Sequence, residues 1–110
     1  MSSPLARALD TCRLALPDAS VDVEVRDELR EWDYGDYEGR TSADIRTSAP
    51  GWLLWTDGVP GGETIDQVAA RVDRVIADLR ASPAGPAVVF AHGHLLRVFA
   101  ARWLGQPPTF

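Results

Sequence analysis

A proline-opened apolar run, Pro86-Ala87-Val88-Val89-Phe90-Ala91, leads directly into His92-Gly93-His94 and then into apolar residues at helical spacing. The run reads as a buried strand. Leu95, Leu96, Val98, Phe99, Trp103 and Leu104 read as the inner face of a helix that Gly105 and Pro107-Pro108 bring to an end. A strand passing at once into a helix is the unit of a parallel α/β sheet, which carries ligands at the carboxyl ends of its strands. The helix N-terminus adds free N–H groups that suit an anion. Both histidines of the chain fall at this turn, and Arg97 follows one helical turn later. The pattern fits a phosphate site. It also fits a histidine that merely bonds neighbouring backbone. His-x-His is a metal-ligand spacing as well, although no Asp, Glu or Cys follows within a few residues.

Length and charge narrow the field. A chain of 110 residues, 45% hydrophobic and 25% charged, is a single small globular domain. A net charge of −5 argues against nucleic acid or an anionic membrane as partner. All 11 basic residues are arginine. The guanidinium fork suits bidentate phosphate recognition, although genome composition alone produces the same bias. Cys12 is the one cysteine, on the apolar side of a predicted helix, so no disulfide framework exists and a reducing compartment fits. With no signal peptide and no membrane-length apolar run, the expected location is cytoplasmic.

Near the N-terminus, Ser3 reads as the N-cap and Pro4 as the first residue of a helix that buries Leu5, Ala8, Leu9 and Cys12 and ends at Pro17. Arg7 stands in its first turn, where the macrodipole disfavours a cation unless an anion sits there; a solvated arginine is the alternative. Val21, Val23 and Val25 alternate with Asp22 and Glu24, the period of a half-buried strand. The stretch from Leu29 to Gly39 has neither period; it is acidic, aromatic and broken by Gly35 and Gly39, a shaped loop. A carboxyl group among aromatic rings has its charged form disfavoured and so suits a general acid. Glu31 beside Trp32 is the first candidate and Glu38 beside Tyr37 the second, with a solvated loop acid as the alternative for each. Thr41 and Asp44 cap a short helix that Pro50-Gly51 breaks. After the turn Gly61-Gly62-Glu63, Thr64 and Gln67 form a capping box. The helix they open carries a stripe of Ile65, Val68, Ala69, Val72, Val75, Ile76 and Leu79, with Arg71, Asp73, Arg74 and Asp78 mostly outside it.

Four of these pieces, in this order, resemble the histidine phosphatase superfamily, which includes the cofactor-dependent phosphoglycerate mutases. Ser3-Pro4-Leu5-Ala6-Arg7-Ala8 with Thr11 is similar to its Ser-Pro-Leu-x-Arg-Ala-x-x-Thr motif. Leu29-Arg30-Glu31 through Tyr34-Gly35 and Glu38-Gly39 is similar to its acid-bearing loop, Gly61-Gly62-Glu63-Thr64 to its Gly-Gly-Glu-Ser/Thr turn, and Ala91-His92-Gly93 to its second-histidine motif. The acid loop lacks the histidine typical of the mutases and the chain between Glu38 and Glu63 is short, both closer to the acid and sugar-bisphosphate phosphatases. The resemblance implies a three-layer α/β/α fold and phosphomonoester hydrolysis without metal or other cofactor, on a small phosphorylated metabolite. It implies a phosphate-clamping role for Arg7, a proton donor in Glu31 and a histidine that stabilises the transferring phosphoryl group in His92. Gly93 and His94 fall at the same phosphate-binding turn, His94 as a further substrate contact, and Glu63 is either a helix cap or a pocket contact.

One departure qualifies this. The family's first strand ends in Arg-His-Gly, whose histidine takes the phosphoryl group, and no histidine precedes His92 here. The expectation is therefore a partial domain over residues 1–110, lacking the first and last strands of the fold and inactive by itself. The lost central strand would leave a gap with Val21, Val23 and Val25 on one side and Val88 and Phe90 on the other, edges open to self-association or to closing on each other. Two other readings stay open: a non-catalytic phospho-ligand-binding or regulatory module, and a metal-binding domain using His92 and His94.

Overall fold

The structure, a computed structural model, describes residues 1–16, 18 and 21–110. Among the described residues five α-helices run in the order α1 (Ala6–Ala15), α2 (Ser42–Ser48), α3 (Leu54–Asp57), α4 (Ile65–Ala81) and α5 (Gly93–Trp103). Pro17, the expected end of the first helix, lies outside the described residues. Among the described residues no helix is long and apolar enough to cross a membrane.

The core is the seam between α4 and α5. Thr64 and Gln67 close the predicted capping box, each side chain accepting the other residue's backbone N–H at 3.2 and 2.9 Å. The stripe that follows buries Val68, Ala69, Val72, Val75 and Ile76 against Leu95 and Val98 of α5, with Leu29, Trp32 and Leu54 closing the cluster. Each aliphatic side chain fully removed from water contributes roughly 1.5–3 kcal/mol, so this seam is the principal source of stability. One residue departs from the expected pattern. Arg71, read as lying outside the stripe, is only 9% exposed.

The strands are shorter than expected. Those read over residues 21–25 and 86–91 each reduce to one parallel bridge, at Val25 and at Phe90, and both bridges go to Ser2. The gap expected between them is filled by residues 1–3, and the two segments do not close on each other. Ser2 N–H donates to Glu24 O and Arg26 N–H to Ser2 O, both at 2.9 Å. On the other side Ser3 N–H donates to Phe90 O at 2.8 Å and Phe90 N–H to Met1 O at 3.0 Å. Three residues ahead of Pro4 are too few to show a period, so the pattern carried no sign of them. Small side chains suit the central place, since Ser2 and Ser3 are both fully buried and the Ser2 hydroxyl donates to Ser3 O. The valines at the supposed margins do stay exposed at Val21, Val25 and Val88. Arg26 ties the outer segment to α4 through Asp78 at 2.9 Å.

This ladder also corrects the start of α1. Leu5, not Ser3, occupies the N-cap position, and Ser3 Oγ accepts Leu5 N–H at 3.2 Å from inside the ladder. Ala8 and Cys12 form the buried face of the helix, and Arg7 is exposed in its first turn.

Candidate active site

The ladder delivers residues 89–91 to the first turn of α5, with His92 as its N-cap. Ser3, in the central segment, meets the histidine: Ser3 Oγ and His92 Nε2 are 2.8 Å apart. The His92 side chain is buried, and burial, with the Arg7 charge next in weight, pushes its pKa below the ordinary histidine value; the Glu31 carboxylate works in the opposite sense. A cavity of about 490 Å³ opens here, lined by Arg7, Thr11, Glu31, Phe90, His92 and Gly93 among others. Three side chains far apart in sequence thus converge at the carboxyl end of the 88–90 segment. The Arg7 guanidinium has no hydrogen-bond or ion-pair partner among the described residues.

The surroundings of Glu31 differ from those the sequence suggests. Its Oε1 accepts the N–H groups of Trp32 and Leu95, both at 3.0 Å, and Oε2 accepts that of His94 at 3.3 Å. The carboxylate caps α5 from another part of the chain, satisfying two of the N–H groups expected to be free for an anion. Of the first three helical residues only Gly93 keeps its N–H for a ligand. Glu31 therefore sits among donors, not in an apolar aromatic pocket.

Glu63, read as a helix cap or a pocket contact, does not line this cavity; it lines two smaller ones nearby. Its two oxygens take Arg71 Nε at 2.8 Å and an Arg71 terminal nitrogen at 2.9 Å, and Oε2 also accepts Asp33 N–H at 2.9 Å. Arg71 reaches further and donates to the carbonyls of Glu28 at 2.6 Å, Arg30 at 2.7 Å and Glu31 at 3.2 Å. One buried guanidinium thus holds the backbone on which Glu31 is mounted. Sequence reasoning missed it, although the signal was present: Arg71 lies three residues after Val68 and four before Val75, on the buried face of the helix.

His94 turns away from His92. Its Nδ1 lies 2.5 Å from the Tyr34 hydroxyl and its ring meets Trp55 edge-on, centroids 5.4 Å apart. Both Tyr34 and His94 line a neighbouring cavity of about 290 Å³. The Tyr34 phenol is pushed well above its ordinary value, by burial first and then by the charges of Glu31 and Glu38, so it stays protonated at physiological pH. Arg97, read with the phosphate site, instead stacks over the Trp55 ring at 4.6 Å. Among the described residues no three His, Cys, Asp or Glu side chains converge as metal ligands.

The family model of the histidine phosphatase superfamily (branch 1) matches residues 1–110, and the chain belongs to that superfamily, with its α/β fold. It is 44% identical over 106 residues to an acid phosphatase of Mycobacterium tuberculosis, covering 96% of this chain and 51% of the relative. It is 39% identical over 127 residues to the sedoheptulose 1,7-bisphosphatase of Saccharomyces cerevisiae, covering 94% and 46%. Its structure superposes with a TM-score of 0.83 and 37% identity on a mycobacterial glucosyl-3-phosphoglycerate phosphatase solved with inorganic phosphate, covering 98% of this chain and 59% of that one. The chain spans about half the length of the curated relatives it matches.

Proposed function

We propose that the whole protein hydrolyses a phosphomonoester through a phosphohistidine, and that Arg7, His92 and Glu31 surround the phosphoryl group. The observation that carries this reading is the convergence of these three side chains on one cavity. Phosphoryl transfer asks for charge neutralisation at the equatorial oxygens and a proton for the departing alkoxide. Arg7, without a partner of its own, is the clamp. His92, held against Ser3, stabilises the group in flight, and Gly93 N–H is a further donor to it. Glu31 protonates the leaving oxygen, its position fixed by α5 and by Arg71. The phosphoryl-accepting histidine is assigned to the whole protein, because His92 and His94 are engaged with Ser3 and Tyr34.

On this reading the 110-residue chain binds inorganic phosphate but turns over a generic phosphomonoester slowly or not at all. Calorimetric titration with phosphate is expected to show binding that falls at least tenfold in Arg7→Ala and in His92→Ala, the loss of one charge-assisted contact. Unchanged affinity in both variants would remove the site. Metal-independent hydrolysis with a phosphohistidine trapped at His92 would overturn the assignment of the nucleophile. The donor-rich surroundings of Glu31 favour a second reading, a module that binds a phospho-ligand without turning it over. The whole protein's activity separates the two.

A pH dependence follows from the lowered pKa of His92. An anion seated beside the ring favours the imidazolium, so binding takes up a proton as the pH falls below the ordinary histidine value of about 6.5. Sulfate is the suitable probe because its own charge is constant over this range. Its affinity is expected to rise as the pH falls, and the rise to disappear in His92→Gln. Without ligand the sign reverses. The unfolded chain takes up the proton first, so the stability contributed by neutral His92 is complete above about pH 6.5 and is lost as the pH falls through its lowered folded value.

A further inference from the structure

Among the described residues Ser3 alone bonds the His92 side chain, and the hydrogens of that contact can be counted. A serine hydroxyl has one hydrogen to donate and two lone pairs with which to accept. Leu5 N–H takes one of the Ser3 lone pairs at 3.2 Å. The hydroxyl hydrogen then has a single acceptor in reach among the described residues, His92 Nε2 at 2.8 Å. The neighbouring Ser2 hydroxyl offers no alternative, because it donates to Ser3 O. Ser3 is fully buried, and a buried O–H without an acceptor costs about 1–3 kcal/mol. Beside a neutral imidazole the hydroxyl is satisfied only when Nε2 carries the lone pair and Nδ1 the proton.

That tautomer is aimed at the cavity. Nδ1 has no partner among the described residues, yet none of their buried side-chain nitrogens or oxygens is left unsatisfied, so Nδ1 is open to solvent. The cavity that His92 lines is the one that Arg7 and Glu31 line. A ring held in this way presents an N–H to an anion while itself uncharged. Burial and the charges of Arg7 on α1 and Arg71 on α4 disfavour the imidazolium, against the opposing carboxylate of Glu31 in the acid loop. A neutral ring with its proton on Nε2 would instead turn the Nδ1 lone pair toward the anion and repel it.

We propose that Ser3 is a positioning residue for the phosphoryl site: its hydroxyl donates to His92 Nε2, so that neutral His92 offers its Nδ1 hydrogen to the anion. The residue acts through His92 and touches no substrate itself. This rests on the assignment of Arg7 and His92 to the phosphoryl group.

The first measurement needs no substitution. In the full chain carrying histidine labelled with the heavy nitrogen isotope, proton–nitrogen correlation spectra at about pH 8.5, well above the ordinary histidine value, show which ring nitrogen is protonated. His92→Gln identifies the His92 signals by their loss. The proton is expected on Nδ1; a proton on Nε2 overturns the assignment of Ser3 alone. Ser3→Ala should move it to Nε2, and Ser3→Thr, which keeps the hydroxyl, should return it. Sulfate titrations give the second readout. At about pH 8.5 Ser3→Ala is expected to weaken sulfate binding about tenfold, the loss of one charge-assisted hydrogen bond. At about pH 5 the imidazolium carries a hydrogen on both nitrogens, so the loss should be clearly smaller. A loss of equal size at both pH values is what a merely structural role produces, and it overturns the proposal. Sulfate that does not bind, or binds equally well in Arg7→Ala, overturns the underlying phosphoryl site and the role of Ser3 with it.

Discussion

Arg71→Met is expected to lower the stability of the chain by about 3–5 kcal/mol, the cost of removing one partner from a buried ion pair. Arg71 gives Glu63 two hydrogen bonds and the carbonyls of Glu28, Arg30 and Glu31 three more. Methionine fills a similar volume but donates nothing. The Glu63 carboxylate then loses its counter-charge, and three carbonyls lose their donor. A small domain holds only about 5–15 kcal/mol in total, so the variant should unfold at a much lower urea concentration. Arg71→Lys keeps the charge on a single nitrogen that cannot span five acceptors, and should recover less than half of the loss. Because the same carbonyls position Glu31, phosphate affinity should weaken in Arg71→Lys even where the chain is folded. A shift below about 1 kcal/mol in Arg71→Met would show that the clamp does not organise the loop.

The sequence reading succeeded where a long pattern or a strong local rule governed the structure. The stripe of α4 and its capping box were legible because many residues, or two reciprocal bonds, state the same thing. The turn at His92 was legible because a proline-opened apolar run and a helical stripe bracket it. The misses share a different cause: each depends on a partner distant in sequence. Residues 1–3 are ladder only because 24–26 and 88–90 flank them. Glu31 acquires two of its three donors from the start of α5, more than sixty residues away, so adjacency to Trp32 gave only part of its surroundings. Glu63 was placed by proximity to a glycine turn, whereas its role follows from a guanidinium on the next helix.

The Gly35–Gly62 contact gives the second large effect, and comparison with Gly39 shows which physical term produces it. Backbone meets backbone where the acid loop lies on the glycine turn: Asp36 N–H donates to Pro60 O at 2.8 Å and Glu63 N–H to Asp33 O at 2.9 Å. A Cβ on Gly62 would stand 2.3 Å from Asp33 O and 2.7 Å from Gly35 N, and one on Gly35 2.3 Å from both Gly62 N and Pro60 O. Neither neighbour is a side chain that can swing aside. Gly62 has an ordinary backbone conformation, so Gly62→Ala meets only this steric cost, expected at or above about 3 kcal/mol, the upper end for overpacking. Gly39 is the converse, with φ of +76° and open space at its Cβ position. Gly39→Ala therefore meets only the left-handed backbone cost of about 1–2 kcal/mol. Gly35→Ala incurs both, since its φ is +52°, and should be the least stable of the three. Denaturant midpoints are expected to fall in the order Gly39→Ala, Gly62→Ala, Gly35→Ala. Parity of Gly62→Ala with the unsubstituted chain would mean that the two loops do not approach this closely. If the contact holds, the turn that begins Gly61-Gly62 carries Glu63 toward Arg71 and sets the height of the acid loop above the cavity. Gly62→Ala should then also weaken phosphate binding, while Gly39→Ala, further along the same loop, should leave it intact.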